Sequence, residues 1–185
     1  MRFFRKIEGE RLYLSPFDAA DAASCAKWAE WMNEKAVADY YGGFNNVVSL
    51  SSAKKTLEEL KGYRFDIVLN EGDLLIGHVS LHDVNQLNRN AFIGIFVGGG
   101  EHRNRGYGAE AMRLALGFGF KTLNLNVIAL SVFADNAAAI ACYEKVGFRH
   151  AGRLREWVYK DGEYVDRIFM DMLSREFGSC RARQP

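Results

Sequence analysis

The sequence predicts an α/β (α+β) domain with a central mixed, mainly antiparallel sheet. Short strand-like segments alternate with segments of helical periodicity, and the chain ends on two strands joined by Asp161-Gly162, a typical hairpin turn. A length of 185 residues supports one domain with a substantial core rather than two. We expect about seven strands flanked by about four helices. The single domain should span residues 1–185, with its core at 8–173 and a flexible polar tail at 174–185.

The first half of the chain contains a strand, two helices and a hairpin. Trp28, Trp31 and Met32 recur at helical spacing and predict one apolar stripe on the first helix. The predicted elements are a strand at Arg11–Leu14, a helix at Ala19–Ala38 capped by Asp18 or Asp21, a helix at Ala53–Lys61 capped by Ser51 or Ser52, and hairpin strands at Tyr63–Leu69 and Leu74–Leu81.

The second half alternates strands and helices before the final hairpin. Phe92–Val97 has apolar residues on both faces, which predicts a central position in the sheet. The helices on either side of the next strand allow neighbouring strands to run parallel. The predicted elements are a polar connection at Asp83–Asn90, strands at Phe92–Val97 and Val127–Phe133, helices at Ala109–Thr122 and from Asn136 to Val146 (ended by Gly147), and hairpin strands at Glu156–Lys160 and Glu163–Leu173.

Composition narrows the range of partners. A formal net charge of +1 gives no electrostatic reason to expect nucleic acid or a membrane as a partner. No segment approaches the ~20 apolar residues that cross a bilayer, and the charged N-terminus lacks the apolar core of a signal peptide. Cys25, Cys142 and Cys180 are far apart, which fits reduced thiols, and the histidines form no metal-ligand pattern. We therefore expect a cytoplasmic protein without a metal ion.

The segment Glu101–Lys121 has the pattern of an anion-binding site. A strand and three glycines precede it, and Arg103 and Arg105 come just before Gly106 and Gly108 at the start of a helix. A helix N-terminus offers unpaired N–H groups and the positive end of a dipole. Glycine lets the backbone approach an anion closely. The pattern predicts a site for a phosphate-bearing cofactor.

Two common phosphate-binding motifs fit this segment poorly. A P-loop ends in Gly-Lys-Ser/Thr, whereas Gly108 is followed by Ala109-Glu110. The dinucleotide motif G-x-G-x-x-A does match Gly106–Ala111. However, about eight residues separate that match from the preceding strand, which in a dinucleotide fold leads directly into its glycines.

Two motifs in order resemble the GNAT N-acetyltransferases. Arg103, Gly106 and Gly108 match R-x-x-G-x-G, the acyl-CoA pyrophosphate motif of that family, and Asn136–Phe148 is similar to its N-x-x-A-x-x-x-Y-E-K-x-G-F segment. The opening ERLYLSPFDAADA and the ending DGEYVDRIFMDML resemble the branch with the ribosomal-protein N-terminal acetyltransferases and the spermidine acetyltransferases. The resemblance covers nearly the whole chain and implies the GNAT fold and acetyl-CoA (coenzyme A) as the acyl donor.

The resemblance also implies which residues hold the donor. The loop from Arg103 to Gly108 would bind the pyrophosphate, the central strand edge would pair with the pantetheine amides, and Asn136 would reach the pantetheine. A bulge in that strand would free an N–H for the thioester oxygen. The implied cofactor-binding residues are Phe96, Val97, Arg103, Asn104, Arg105, Gly106, Tyr107, Gly108 and Asn136.

Tyr143 is the implied catalytic residue and would act as a general acid. It follows Asn136 by seven positions, nearly two helical turns, so both side chains share one face. A tyrosine of ordinary pKa ~10 stays protonated at neutral pH and can donate to a leaving thiolate whose thiol has a pKa of ~8.5. The general base stays open between water and Asp83 acting through water, because Ala91 to Val97 contains no carboxylate.

The expected reaction is direct acetyl transfer from acetyl-CoA to a primary amine: a protein or peptide N-terminus, a polyamine or a small amino compound. A non-catalytic acyl-CoA-binding or regulatory module with the same fold is the alternative, and the family allows a homodimer. The first two helices and the last hairpin should form the acceptor pocket. Its expected wall residues are Trp28, Trp31, Tyr40, Tyr41 and Trp157, and the acids that could attract a cationic amine are Glu30, Glu34 and Asp39.

Overall fold

The computed structural model of the protein describes residues 2–41 and 46–178. Phe44, Cys180 and the predicted tail beyond residue 178 lie outside these residues. The strands are β1 (Ile7–Glu8), β2 (Leu12–Pro16), β3 (Tyr63–Leu69), β4 (Leu75–Asn85), β5 (Asn90–Val97), β6 (Val127–Phe133), β7 (Arg149–Lys160) and β8 (Glu163–Leu173).

Six α-helices occur in the described residues. They are α1 (Ala22–Asn33), α2 (Lys35–Tyr41), α3 (Leu50–Glu59), α4 (Tyr107–Gly117), α5 (Ala137–Val146) and α6 (Ser174–Phe177). A 3₁₀ turn at Gly100–His102 precedes α4, and a π-helical turn at Phe118–Thr122 follows it. None of the helices in residues 2–41 and 46–178 is both long and apolar enough to cross a membrane.

The strands form one open sheet in the order β1-β2-β3-β4-β5-β6-β8-β7. Every neighbouring pair is antiparallel except β5 and β6, which are connected through α4 and run parallel. The mixed, mainly antiparallel sheet is therefore confirmed, as is the central position of Phe92–Val97. One strand more than expected is present, because Ile7–Glu8 adds a two-residue edge strand beside β2.

Apolar residues cover both faces of the sheet. The larger cluster joins Met112 and Leu116 of α4 to the sheet through residues such as Ile67 and Ile128. The smaller cluster, on the opposite face, contains Trp31 of α1. Trp31 and Met32 are each 3% exposed, which confirms that the tryptophan stripe of the first helix belongs to the core.

The first predicted helix is two helices. Asp21 caps α1 by accepting from the N–H groups of Ala23 and Ser24, as one of the two predicted caps. The helix ends at Glu34, whose extended backbone (φ −73°, ψ 117°) interrupts the helical path. The Glu34 carbonyl accepts from Val37 and Ala38, so α2 begins immediately in a new direction.

Other helices and strands begin or end at residues that differ from the predicted ones. The cap of α3 is Ser49, not Ser51 or Ser52, and it forms a reciprocal capping box with Ser52. β4 continues through the predicted connection to Asn85, with an irregularity between His82 and Asn85. Ser174–Phe177, at the start of the predicted tail, is helical, and the Phe177 ring packs 5.4 Å from that of Phe120.

Candidate active site

The sheet opens between β5 and β6. These strands pair only along Asn90–Phe92 and Val127–Ala129. Beyond these pairs, β5 continues along β4 as far as Val97, and β6 continues along β8 as far as Phe133. The facing edges therefore separate and leave a cleft in the middle of the sheet, which we call the strand opening. This feature depends on pairing between distant segments and has no local signal in the sequence.

The backbone of β5 presents alternate residues to the strand opening. The Gly98 N–H donates to the Ile76 carbonyl at 2.9 Å, which fixes the phase of the β4–β5 ladder. In an antiparallel pair, successive residues direct their backbone N–H and C=O groups alternately towards the partner strand and away from it. Phe96 therefore directs its backbone groups to β4, whereas Ile95 and Val97 direct theirs into the opening. The Phe96 side chain is buried under α2.

The predicted bulge in the central strand is wrong. The register of β5 against β4 runs without interruption from Phe92 opposite His82 to Val97 opposite Gly77. The irregularity lies in β4 instead, next to Asp83, whose backbone has a φ of +51°. A donor for an oxyanion would therefore come from the alternation of β5 and not from a bulge in it.

The loop after β5 is bound to the end of the strand. Arg103 donates from Nε to the Val97 carbonyl at 3.0 Å and from Nη2 to Glu34 at 2.7 Å. Arg105, by contrast, is exposed and forms no ion pair with the described side chains. Asn104 is exposed and has a φ of +60°. The two arginines thus differ: Arg103 shapes the loop, and Arg105 can meet a ligand.

The helix α4 begins at Tyr107, and no side chain caps its N-terminus with a hydrogen bond. Gly106 precedes it in the left-handed conformation (φ +81°) and supplies no side-chain cap. The first N–H groups of a helix have no intrahelical partner, so those of Tyr107 and Gly108 remain available to an anion. This geometry fits the predicted anion-binding segment.

Arg11, which no local sequence motif identifies, holds this loop against the start of α4. Its backbone N–H and Nε donate to the two Glu110 carboxylate oxygens at 2.8 Å each, and Nη1 donates to the Arg105 carbonyl at 2.9 Å. Its guanidinium also lies 4.8 Å from the centre of the Tyr107 ring. Arg11 and Glu110 are 99 positions apart. No spacing rule connects such residues, so only the fold reveals the brace.

Asn136 and Tyr143 lie on α5, as predicted. Asn136 is the N-cap, since its Oδ1 accepts from the Ala139 N–H at 3.1 Å. That bond leaves the two N–H groups of its amide without a partner in the described part of the chain. Gly147 ends the helix in the left-handed conformation (φ +115°), which confirms its predicted place.

The Tyr143 ring is largely enclosed and lies 6.1 Å, edge to face, from the Phe148 ring. Burial raises the pKa of its phenol well above the ordinary value, and the nearby Cys142 and Tyr41 add smaller contributions in the same direction. The charge of Arg167 acts in the opposite direction. The hydroxyl forms no hydrogen bond with residues 2–41 or 46–178. It is therefore a neutral donor, free to act on a ligand.

Aromatic residues of α2 cover the other face of the strand opening. Tyr41 lies 4.8 Å, edge to face, from Phe96, and its hydroxyl lies on the same side of Gly94 as Ser80 Oγ. Tyr40 lies 6.5 Å from the Phe133 ring. Of the other predicted wall residues, Trp31 is buried and Trp28 is partly buried in the smaller cluster, whereas Trp157 is 64% exposed on β7.

The predicted acids of the acceptor side all have cationic partners. Glu30 pairs with Lys27 at 2.9 Å, and Asp39 pairs with Lys35 at 2.7 Å. Glu34 is bound to Arg103. Their charges are therefore largely compensated within the protein. Asp83 is 78% exposed and lies 3.0 Å from His82. Within the described residues, no group of three or more His, Cys, Asp or Glu side chains is arranged to hold a metal ion.

The fold agrees with that of known proteins. A family model described as the acetyltransferase (GNAT) domain matches residues 11–149. The chain therefore belongs to the GNAT acetyltransferase family, whose members are N-acetyltransferases that use acetyl-CoA, and the resemblance seen in its motifs is confirmed.

Individual relatives cover most of the chain. An uncharacterized N-acetyltransferase of Bacillus subtilis (strain 168) is 31% identical over 170 residues, which are 88% of this chain and 93% of that protein. The L-amino acid N-acetyltransferase of Escherichia coli (strain K12) is 32% identical over 63% of this chain and 72% of its own. The crystal structure of spermidine N-acetyltransferase from Vibrio cholerae with CoA and spermine superimposes with a TM-score of 0.80, at 26% identity, over 91% of this chain and 99% of its own.

Proposed function

We propose that the protein, acting as one GNAT domain, transfers the acetyl group of acetyl-CoA directly to a primary amine. The observation that carries this proposal is the strand opening, because one of its edges, β5, leads to the N-terminus of α4, and the other, β6, leads to α5, which carries Tyr143. Acetyl-CoA supplies a thioester, which an amine can attack. The residues around the opening would bind and orient acetyl-CoA and protonate its leaving sulfur.

The residues present fit such a donor. The N–H groups at the start of α4 and the exposed Arg105 suit a pyrophosphate. The backbone of Ile95 and the N–H of Val97 suit the amides of an extended pantetheine arm, in the manner of an added strand. The Val97 carbonyl is already bound by Arg103, so it contributes to the shape of the loop. Phe96 would act through its neighbours, since its own backbone faces β4.

Tyr143 would protonate the leaving sulfur. Its phenol is kept neutral by burial, and a neutral phenol is the form that can donate. Asn136 would hold the arm of the donor through its amide N–H groups, while its oxygen keeps the helix capped. The two residues thus combine binding and proton transfer on one face of α5.

The acceptor would approach from the side of α1 and α2. Relatives acetylate amines as different as L-amino acids and spermidine, so family membership supports an amine without selecting one. The compensated acids, Glu30, Glu34 and Asp39, give little attraction for a polycation. The half-buried guanidinium of Arg167, bound to Ser131 Oγ at 2.9 Å, adds positive charge near Tyr143. These charges favour an amine with few positive groups over a polyamine.

The experiment is a thiol-release assay with acetyl-CoA and a panel of amines: N-terminal peptides, amino acids, aminosugars and spermidine. We expect release of CoA thiol above the hydrolysis rate with at least one class, and mass spectrometry should show the acetylated amine. CoA binding without release for any amine would instead support the non-catalytic alternative.

Substitution of Asn136 separates its two roles. Asn136→Asp retains a capping oxygen but loses the amide N–H groups, so stability should hold while the Kd for CoA rises. Asn136→Ala loses both and should also lower the free energy of unfolding by about 1 kcal/mol. Urea unfolding and calorimetric titration with CoA measure the two effects. Equal CoA affinity in Asn136→Asp and the wild type would remove Asn136 from the donor site.

A further inference from the structure

Three polar side chains converge above Gly94 of β5. A methyl group placed on Gly94 would lie 3.5 Å from the Tyr41 hydroxyl, 3.7 Å from Ser80 Oγ and 3.7 Å from His82 Nε2. Gly94 comes two positions after Phe92, the last residue of β5 that pairs with β6. The three groups therefore border the strand opening, on the face covered by α2, where the acceptor would approach.

The His82 ring is held in one orientation. Its Nδ1 lies 3.0 Å from Asp83 Oδ2, and its plane stacks on Phe92 at 6.0 Å with an angle of 16°. An ionised carboxylate can only accept, so Nδ1 carries the proton of the neutral ring. Nε2 then carries a lone pair and faces the space above Gly94. The strained backbone of Asp83, at φ +51°, places its carboxylate beside the histidine.

None of the other described groups around His82 is as well suited to accept a proton. On α2, burial raises the pKa of the Tyr41 phenol, so it stays neutral. On β3, the Arg64 guanidinium acts electrostatically on Tyr41 and carries no lone pair. On β4, Ser80 carries a hydroxyl, which is neutral and only weakly basic. β5 contributes the uncharged Phe92 and Gly94. Asp83 is thus the charged partner of His82 among the described residues.

The second histidine of β4 lies out of reach of an acceptor. His78 is 3% exposed and faces the buried Asp66, with Nδ1 and Oδ1 3.7 Å apart. The side chain of His82 is 41% exposed. Of the two, only His82 can exchange a proton with a bound amine and then with solvent.

We propose that His82 is the general base that removes a proton from the acceptor amine, and that Asp83 is its positioning residue. This inference rests on the proposed acetyltransferase function. An amine of pKa ~10.4 is neutral at pH 7 in roughly one molecule in 2,500, so a base at this position has a large effect. It also supplies the group that the carboxylate-free strand β5 lacks.

The protons and electrons balance in this scheme. The ammonium group gives one proton to His82 Nε2, and the freed lone pair of nitrogen forms the bond to the acyl carbon. The carbon–sulfur bond breaks with its electron pair on sulfur, which takes the Tyr143 proton. The second proton lost by the nitrogen restores Tyr143 through solvent, and His82 releases its proton to solvent.

The first test compares His82→Gln with His150→Gln in the acceptor assay. His150 is a matched control, because its Nε2 lies 3.0 Å from Glu144 on the exposed surface of the same fold. We expect His82→Gln to lower kcat/KM about 10²- to 10⁴-fold at pH 7. The loss should shrink as the pH approaches the pKa of the amine, and it should leave the Kd for CoA unchanged. His150→Gln should leave kcat/KM unchanged.

The second test reads the ring of His82 directly, by ¹⁵N NMR of the free protein. The neutral ring should be protonated at Nδ1, and Asp83→Ala should mix the two tautomers and lower kcat/KM less than His82→Gln does. A neutral ring protonated at Nε2, or a His82→Gln variant with wild-type kcat/KM and pH profile, overturns the proposal. If the wild type acetylates no amine, the acetyltransferase function fails instead, and the NMR result still reports on His82.

Discussion

Replacing Tyr143 with phenylalanine is expected to lower kcat by about 10²- to 10⁴-fold, because the leaving thiolate loses its proton donor. The ring and its contact with Phe148 remain, so the fold and the Kd for CoA should not change. Steady-state thiol release and calorimetric titration with CoA measure the two quantities. A large loss of kcat at constant CoA affinity is the signature of a residue that acts on the reaction.

Tyr164→Phe is the matched control for this substitution. Tyr164 is 65% exposed on β8 and lacks the buried environment of Tyr143. Its hydroxyl can be removed without disturbing the strand opening, so kcat should stay at the wild-type value. A Tyr143→Phe variant that is as active as Tyr164→Phe would show that the thiolate leaves without help from this tyrosine.

The pH dependence gives a further check on Tyr143. Burial raises the pKa of its phenol, so the donating form persists above the pH at which a free tyrosine ionises. The activity of the wild type should therefore not fall near pH ~10 through loss of this proton. A fall in kcat at that pH, absent in Tyr143→Phe, would contradict the enclosed position of the hydroxyl.

The largest expected effect on stability comes from Trp31. Its indole is 3% exposed, lies edge to face with Phe96 at 5.6 Å, and fills the smaller core cluster. Trp31→Ala should lower the free energy of unfolding by about 3–5 kcal/mol, through lost burial and a remaining cavity. Urea or thermal unfolding measures this change.

Gly98 explains why this tryptophan is so closely packed. A methyl group on Gly98 would lie 2.0 Å from the indole Nε1, so Gly98→Ala should cost about 1–3 kcal/mol in the wild type. In the Trp31→Ala background the same change should cost almost nothing. Gly100→Ala is the control, since no heavy atom lies within 4 Å of its added methyl group. Additive effects of the Trp31 and Gly98 substitutions would contradict the contact.

Local patterns were sufficient for much of the fold. The bounds of Val127–Phe133 and Tyr63–Leu69 agree with β6 and β3, because alternation and flanking turns act within a few residues. Asn136 and Gly147 were predicted as the ends of α5 for the same reason: caps are local interactions. The first helix was predicted too long, since its composition stays favourable across Glu34 and the break shows only in the folded chain.

The parts that sequence could not predict are long-range. The Arg11–Glu110 ion pair brings together residues that are far apart in the sequence. The approach of His82 Nε2 to Gly94 does the same for two different strands. No local pattern marks His82 as a base, because its position relative to β5 depends on strand register. The general base was left open between water and Asp83 acting through water, and the structure places the Asp83 carboxylate beside His82.

The strand opening also has a consequence for self-association. Unpaired strand edges on a protein surface can recruit strands from other molecules and lead to aggregation. Here the unpaired edges of β5 and β6 face each other inside the sheet, and α2 and α4 pack on opposite faces of β5. A slender extended chain can enter such a gap, whereas the edge of another folded protein cannot. The molecule thereby keeps unpaired backbone N–H and C=O groups without exposing them to its own copies.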